Sequence, residues 1–328
     1  KKILRAKYWA GLHNYRPIII ENIQKDLNTI DDTLLHRELV KNSLTVIKDK
    51  IGELPIRNLE KRKIAYVQLG DAPGNHFVSM LQKYTQVDVI SETTLKGIIT
   101  KLKPYNLVII GFHKSNSNPW KSYKFNNKDL VWLQEIARNK DVILDVFASP
   151  YSLLQVKKYK NIASIIVSYQ NSKIAQELSA QLIFGAFGAK GKLPVSIHHK
   201  FLEGHGIITS ELSRLGYAIP EEVDMSSKKL EKIDSMASII LAKKMAPGFQ
   251  VLVARNTQVI FAKSYGYHTD KEIKKVKNTD IYDVASLTKI LAALPLIMKA
   301  EEDNKISLDS SLMEMLPSFK DSNKDTLT

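Results

Sequence analysis

The sequence predicts an α/β protein: a doubly wound α/β sandwich over about 61–215, followed by a smaller α+β segment over 216–328. Three observations carry that prediction. Short, near-continuous apolar runs recur between 61 and 170, two of them closed by glycine. Helical stretches separate these runs, the alternation of a parallel sheet covered on both faces. After about 216 the rhythm changes to one amphipathic helix, a hairpin pattern and a strongly apolar helix.

Taken in order, the first residues read as the inside of a helix, with Ile3, Leu4, Tyr8, Trp9 and Leu12 available for an apolar face. They carry no apolar core or small-residue cleavage site of a signal peptide. Both ends read as cut from a longer chain. Leu34, Leu35, Leu39, Val40, Leu44 and Ile47 recur near a 3.6-residue period, so about 32–48 is expected to be an amphipathic helix in a lead-in over 1–60. Five strands are expected around 64–70, 87–90, 107–111, 142–147 and 165–169. Helical segments are expected over about 75–84, 93–102, 127–139, 150–157 and 172–186. In such sheets ligands meet the loops at the carboxyl ends of the strands. Here those loops are Asp71–Asn75, His113–Asn127 and Ala148–Tyr151.

In the second segment, Leu230, Ile233, Ala237, Ile240 and Leu241 mark one helix face, with Ser226 or Ser227 as cap. Two β-rich runs, 249–255 and 258–263, flank the polar pair Asn256-Thr257 and read as a hairpin. A Lys-rich stretch at 271–277 reads as an exposed loop, and an apolar helix follows Ser286 to about 302, disturbed at Pro295.

Composition narrows the function classes. The 328 residues are 44% hydrophobic and 25% charged, an ordinary globular balance. No run of eighteen apolar residues exists, so no membrane span is encoded. There are 48 Lys+Arg against 34 Asp+Glu, a formal charge of +14. The basic residues are scattered and Arg is scarce, without the clustered footprint of a nucleic-acid binder. Cysteine is absent, which removes disulfides, thiolate metal sites and a Cys nucleophile. His198, His199 and His205 lack the helical i, i+4 spacing of a metal site and read as a surface loop between domains. No metal or cofactor is called for. Gly185, Gly188 and Gly191 follow a helix rather than a strand, and read as its end and turn rather than a phosphate loop.

The chemistry concentrates at Ser286-Leu287-Thr288-Lys289. A serine hydroxyl needs a base to become a nucleophile. On a helix, positions i and i+3 share a face, so Lys289 can reach the Ser286 hydroxyl. The helix start favours developing negative charge, and the Ser286 N–H can supply half of an oxyanion hole. A neighbouring apolar wall would help Lys289 lose its proton. The four-letter pattern is short and recurs at Ser226-Ser227-Lys228-Lys229, so the residues alone leave the nucleophile reading open. The loop from Phe112 to Lys128 contains no Asp or Glu but holds His113, Trp120, Tyr123 and Phe125. It reads either as a sugar-contacting loop through His113 and Trp120, or as a surface loop anchored by Trp120. Asp145 reads as the cap of a turn at a strand end.

Two regions resemble known families. Leu4–Leu12, Glu38–Lys48 and Gln181–Val195 are similar to segments of family 3 glycoside hydrolases: the exit from their barrel, the helix before their second domain, and the stretch closing it. This likeness covers about 1–200. It implies a catalytic Asp on a barrel outside this chain, and the acid-free loop leans toward the N-acetylhexosaminide branch, whose general acid is a barrel His. Pro247–Ala254, Tyr282–Lys289, Lys305–Asp309 and Leu316–Phe319 resemble the serine β-lactamase, penicillin-binding protein and esterase superfamily. Residues 216–328 would then be the start of an α+β serine β-lactamase-like domain. That likeness implies Ser286 as nucleophile and Lys289 as base. The superfamily's Tyr-x-Asn and Lys/His-x-Gly motifs lie downstream of its nucleophile, and neither occurs between Ser286 and Thr328, so this chain is expected to be inactive alone.

The resulting expectation is part of a multidomain bacterial hydrolase, exported or envelope-associated. It would join a β-N-acetylhexosaminidase-like glycosidase to a serine acyl hydrolase, with carbohydrate and acyl small-molecule substrates and cell-wall material as the expected target of both. Its partners would be a barrel and a carboxyl-terminal remainder of the same polypeptide, with no nucleic acid. The alternatives are a non-catalytic carbohydrate- or polymer-binding module with a vestigial serine domain, and a basic polymer-binding protein, whose binding would depend steeply on salt.

Overall fold

The computed structural model describes residues 1–328 except Ile51, Pro119 and Thr328. Pro119, inside the acid-free loop, and Thr328, the end of the 216–328 segment, therefore lie outside the described residues. The chain divides into two compact units: Lys1–Lys243 with Val251–Lys263, and Lys244–Gln250 with Ser264–Thr328.

The first unit opens on α1 (Lys2–Trp9), α2 (Ile23–Asp26) and α3 (Ile30–Ser43). Thr29 starts α3 with a capping box: its hydroxyl accepts from the Asp32 N–H at 3.2 Å, and the Asp32 carboxylate accepts from the Thr29 N–H at 2.9 Å. The helix expected over 32–48 stops at Ser43, and Thr45–Asp49 becomes strand β1. Thr45, Val46 and Ile47 are β-branched, and pairing with a sheet edge overrides their local helical spacing.

The main sheet has six strands in the order β1-β6-β5-β4-β2-β3. They are β1, β2 (Ile64–Gly70), β3 (Val87–Val89), β4 (Leu107–His113), β5 (Asp141–Phe147) and β6 (Ser164–Val167). Strands β2 to β6 are parallel, and β1 is antiparallel to β6. Helices α4 (Asn75–Leu81), α5 (Leu95–Lys101), α6 (Asn127–Asn139) and α7 (Lys173–Ile183) lie near the expected positions, whereas 150–157 forms only a 3-10 segment, Pro150–Gln155.

Both faces of the sheet are covered, as the unbroken apolar runs require. Ile98, Leu133 and Ile136 of α5 and α6 pack with Val108, Ile110 and Leu144 in one core. Phe77, Leu81 and Leu178 of α4 and α7 pack with Tyr66, Ile109 and Ile143 in the other. This is the doubly wound α/β sandwich expected from sequence. After β3 the chain returns past β2 to lay down β4 on its other side, which opens a crevice at the carboxyl ends of β2 and β4.

Gly185, at φ 76°, ends α7, and the Ala186 N–H donates back to Gln181 O at 3.0 Å, the expected glycine-closed terminus. Beyond it come β7 (Gly216–Tyr217), α8 (Ser227–Ala242), β8 (Gly248–Arg255) and β9 (Gln258–Gly266). The Ser226 hydroxyl caps α8, accepting from the Lys229 N–H at 3.3 Å. Asn256 and Thr257 have φ of 50° and 62°, the two left-handed residues of a tight hairpin turn. A small third core forms around Val223, Leu230 and Ile260.

The second unit is built differently. Val276 is the one residue of it that is buried among the described residues. A π-helical turn, Lys289–Ala293, leads into α9 (Leu294–Glu302), and a short α10 (Leu312–Met315) follows. Pro295 sits in the first turn of α9, directly after the π turn, the disturbance expected where proline lacks its N–H.

Candidate functional site

At the crevice end of the six-stranded sheet, the structure builds a buried polar network that the sequence did not show. His113, the last residue of β4, is fully buried. Its Nδ1 lies 2.6 Å from Asn171 Oδ1, and its Nε2 lies 2.8 Å from the Tyr66 hydroxyl. An amide oxygen only accepts, so Nδ1 carries the proton and Nε2 accepts from Tyr66. The Asn171 amide nitrogen donates to Pro73 O at 3.1 Å, which fixes the orientation of that amide. Burial pushes the His113 pKa down to about 4, so the ring is neutral. Glycine makes the space: a Cβ at Gly111 would stand 2.3 Å from His113 Nε2, and one at Gly74 would stand 2.5 Å from it.

Asn171 carries the network outward. Its N–H donates to Asn116 Oδ1 at 2.7 Å, and Gln176 Nε2 donates to Asn171 Oδ1 at 2.9 Å. The loops after β2, β4 and β6 are thereby tied to one another. Asp145 belongs to the same interior. It lies within β5 opposite Gly111, not at a turn, and accepts hydrogen bonds from the Ser168 hydroxyl at 2.7 Å and from Ser179. Burial raises its pKa to about 7, against the lowering effect of both serines. The available signal was an acid inside the apolar run 142–147.

Above the network is a cavity of about 470 Å³, lined by Asp71, Ser115, Asn116, Lys121 and Asn171 among others. Its one acid, Asp71, pairs with Lys114 at 2.6 Å. The lining supplies polar contacts but not the two carboxylates of glycoside hydrolysis. Two expectations are corrected here. His113 offers no surface to a substrate, because it closes a strand and its ring is turned into the core. Trp120 is 91% exposed, so it anchors nothing, and it is not part of the cavity wall. Phe125 anchors the loop by stacking on Phe112 with centroids 3.6 Å apart. His198 and His205 bond backbone carbonyls of Leu154 and Ile47 at 2.9 and 2.8 Å.

In the second unit, Ser286 and Lys289 share one helical face. Lys289 Nζ donates to Ser286 Oγ at 3.0 Å. The turn is set by Ala285, at φ 44°, whose N–H donates to Asp283 Oδ1 at 2.7 Å. The Leu287, Thr288 and Lys289 N–H groups are then used within the turn by Val284, Ala285 and Ser286. The expected apolar wall and buried helix are absent among the described residues. Leu287, Ile290 and Leu291 are 55%, 61% and 65% exposed, because nothing in this unit packs over them. The pair has the contact a serine–lysine acyl transfer needs, without the desolvation.

Residues 235–328 match the beta-lactamase family model. Protein flp of Staphylococcus aureus (strain NCTC 8325 / PS 47) is 30% identical over 97 residues, which is 29% of this chain and 19% of that protein. The N-acetylmuramyl-L-alanine amidase of Bacillus subtilis (strain 168) is 28% identical over 114 residues, 33% of this chain and 26% of its own length. Among solved structures, beta-glucoside phosphorylase BglX is similar at 19% identity with a TM-score of 0.48, covering 58% of this chain and 36% of that one. A glycoside hydrolase family 3 beta-N-acetylglucosaminidase from Paenibacillus sp. str. FPU-7 is similar at 15% identity with a TM-score of 0.41, covering 52% and 34%. The chain thus spans about a fifth of the first curated relative's length.

Proposed function

We propose that this chain is part of a larger exported hydrolase in which Ser286 is the nucleophile and Lys289 the base of an acyl-transfer site. The observation that carries the reading is the 3.0 Å hydrogen bond from Lys289 Nζ to Ser286 Oγ, inside the 235–328 region that matches the beta-lactamase family. A neutral Lys289 takes the hydroxyl proton as Ser286 Oγ attacks an amide or ester carbonyl. The Ser286 N–H donates to the oxyanion, the amine or alcohol leaves with a proton from Lys289, and water releases the acyl group. The amidase among the relatives supports an amide bond as target. The α/β sandwich, with its resemblance to family 3 glycoside hydrolases over 1–200, supports a carbohydrate-processing neighbour, and cell-wall material suits both.

An ammonium group gives up its proton more readily beside apolar groups than in water. With Leu287, Ile290 and Leu291 open to solvent, the chain by itself is inactive on this reading. Further chain covers that face and brings the rest of the site. The same exposure favours one second reading, a binding module whose serine segment has lost catalysis.

A covalent serine-directed probe separates the two. Applied to the full-length polypeptide, it labels Ser286. Substitution Ser286→Ala abolishes the label, and Lys289→Ala slows labelling by about 10²–10⁴-fold, the usual range for a lost general base. Labelling that persists in Ser286→Ala rejects the assignment, and no labelling of the full-length protein favours the binding module.

A further inference from the structure

The opposite edge of the six-stranded sheet, where the parallel strands begin, gathers basic residues that the sequence keeps far apart. Strand β1 runs antiparallel to β6, so its exit at Lys50 lies beside the entry to β6, and the Lys50 N–H donates to Ala163 O at 2.9 Å. Arg138 and Lys140 stand at the end of α6, directly before β5. With Lys160 they line an open cavity of about 560 Å³. Asn106, Asn139 and Asn161 add amide groups to the lining, and Asp141 is its one carboxylate.

Not all of this charge is committed within the protein. Arg138 pairs with Glu135, and the Lys140 ammonium donates to Lys103 O and Tyr105 O at 2.9 and 2.6 Å. Lys50 and Lys160 have no acidic partner among the described residues. Like charge is felt next to the cavity: burial first, then Lys50 and Lys200, lower the pKa of Lys48.

We propose that this cavity binds a phosphate-bearing polymer that has no stacking bases. Charge complementarity selects an anion, and the openness of the groove lets a chain pass through it. Three of the four cations are lysines, which bind phosphate as compact point charges, without the bidentate fork by which Arg grips carboxylate or phosphate. Single-stranded nucleic acid would call for aromatic platforms. The one ring in the lining, Tyr105, is held by its hydroxyl on Asp88 at 2.9 Å. The site is separate from the crevice edge and does not depend on Ser286.

The test is binding of long-chain inorganic polyphosphate to this 328-residue chain, titrated at about 50 to 200 mM salt. The double variant Lys50→Glu/Lys160→Glu loses at least about tenfold in affinity at low salt, and its log–log salt slope falls by about two. Lys271→Glu/Lys274→Glu changes the net charge equally in the exposed Lys-rich loop and keeps most of the affinity. Unchanged circular dichroism and melting establish that both variants fold. Equal losses in the two variants overturn the proposal, as does absence of polyphosphate binding at 50 mM salt. An oligo(dT) strand bound as tightly as polyphosphate also overturns it, in favour of nucleic acid.

Discussion

His113 and Asp145 are buried ionisable groups with opposite pH signatures. The His113 pKa falls from 6.5 to about 4 on folding, so the unfolded chain binds the extra proton in between. Its contribution is complete above pH 6.5 and is lost as pH falls toward 4, on the order of 3 kcal/mol for a shift of this size. The Asp145 pKa rises from 3.8 to about 7, so the folded state holds that proton, and stability is lost as pH rises through this window. In the wild type the two slopes oppose each other between pH 4 and 6.5. His113→Gln leaves the Asp145 decline unopposed, and Asp145→Asn leaves the His113 rise unopposed. Urea unfolding at pH 4 to 8 should tilt the two variants in opposite directions. The same tilt in both would refute the assigned charge states. Gly111→Ala must displace the His113 ring, since its Cβ would stand 2.3 Å from Nε2. The expected cost is about 1–3 kcal/mol, read by the same unfolding experiment.

Elements differ in what supports them. Helix α7 starts at Ser172, whose side chain accepts from the Ala175 N–H, and most of its residues are buried. Ser172→Ala should cost about 1 kcal/mol of unfolding free energy in a denaturant titration. Helix α9 has no buried residue, and Leu294, Ile297 and Met298 are 46%, 45% and 62% exposed. Helices of this length are marginal without packing. Amide exchange over 289–302 should therefore be orders of magnitude faster than over 173–183, and equal protection would contradict it. The same contrast decides what the sequence could reveal. Helix α6 was legible from end to end because its information is local, including Asn126, whose side chain accepts from the Asp129 N–H at 2.8 Å. Strand β1 was not, because its residues also fit a helical period and only pairing with β6 settles the matter. The Ser286–Lys289 contact spans three residues and could be anticipated. The joining of Tyr66, His113 and Asn171 depends on strand order and could not.

For the molecule as a whole, the two units should part company under protease. Cleavage should begin in 267–328, where Val276 alone is buried among the described residues, while the segment from β2 to α7 resists. First cuts within 64–183 would show that the sandwich is the weaker body. Strand order also accounts for the charge. A net +14 looked diffuse along the chain, yet parallel strands share one entry edge, and an antiparallel neighbour delivers its exit to that edge as well. Sequence marks a change of rhythm at about 61, but β1 at Thr45–Asp49 completes the sheet and places Val46 and Ile47 in its two cores. A gene trimmed to begin at codon 61 would thus encode a sandwich missing a wall plank. The uncovered flank of β6 would be free to recruit the same strand from any neighbouring molecule, so insoluble product from such a clone would report a misplaced cut rather than an unstable fold.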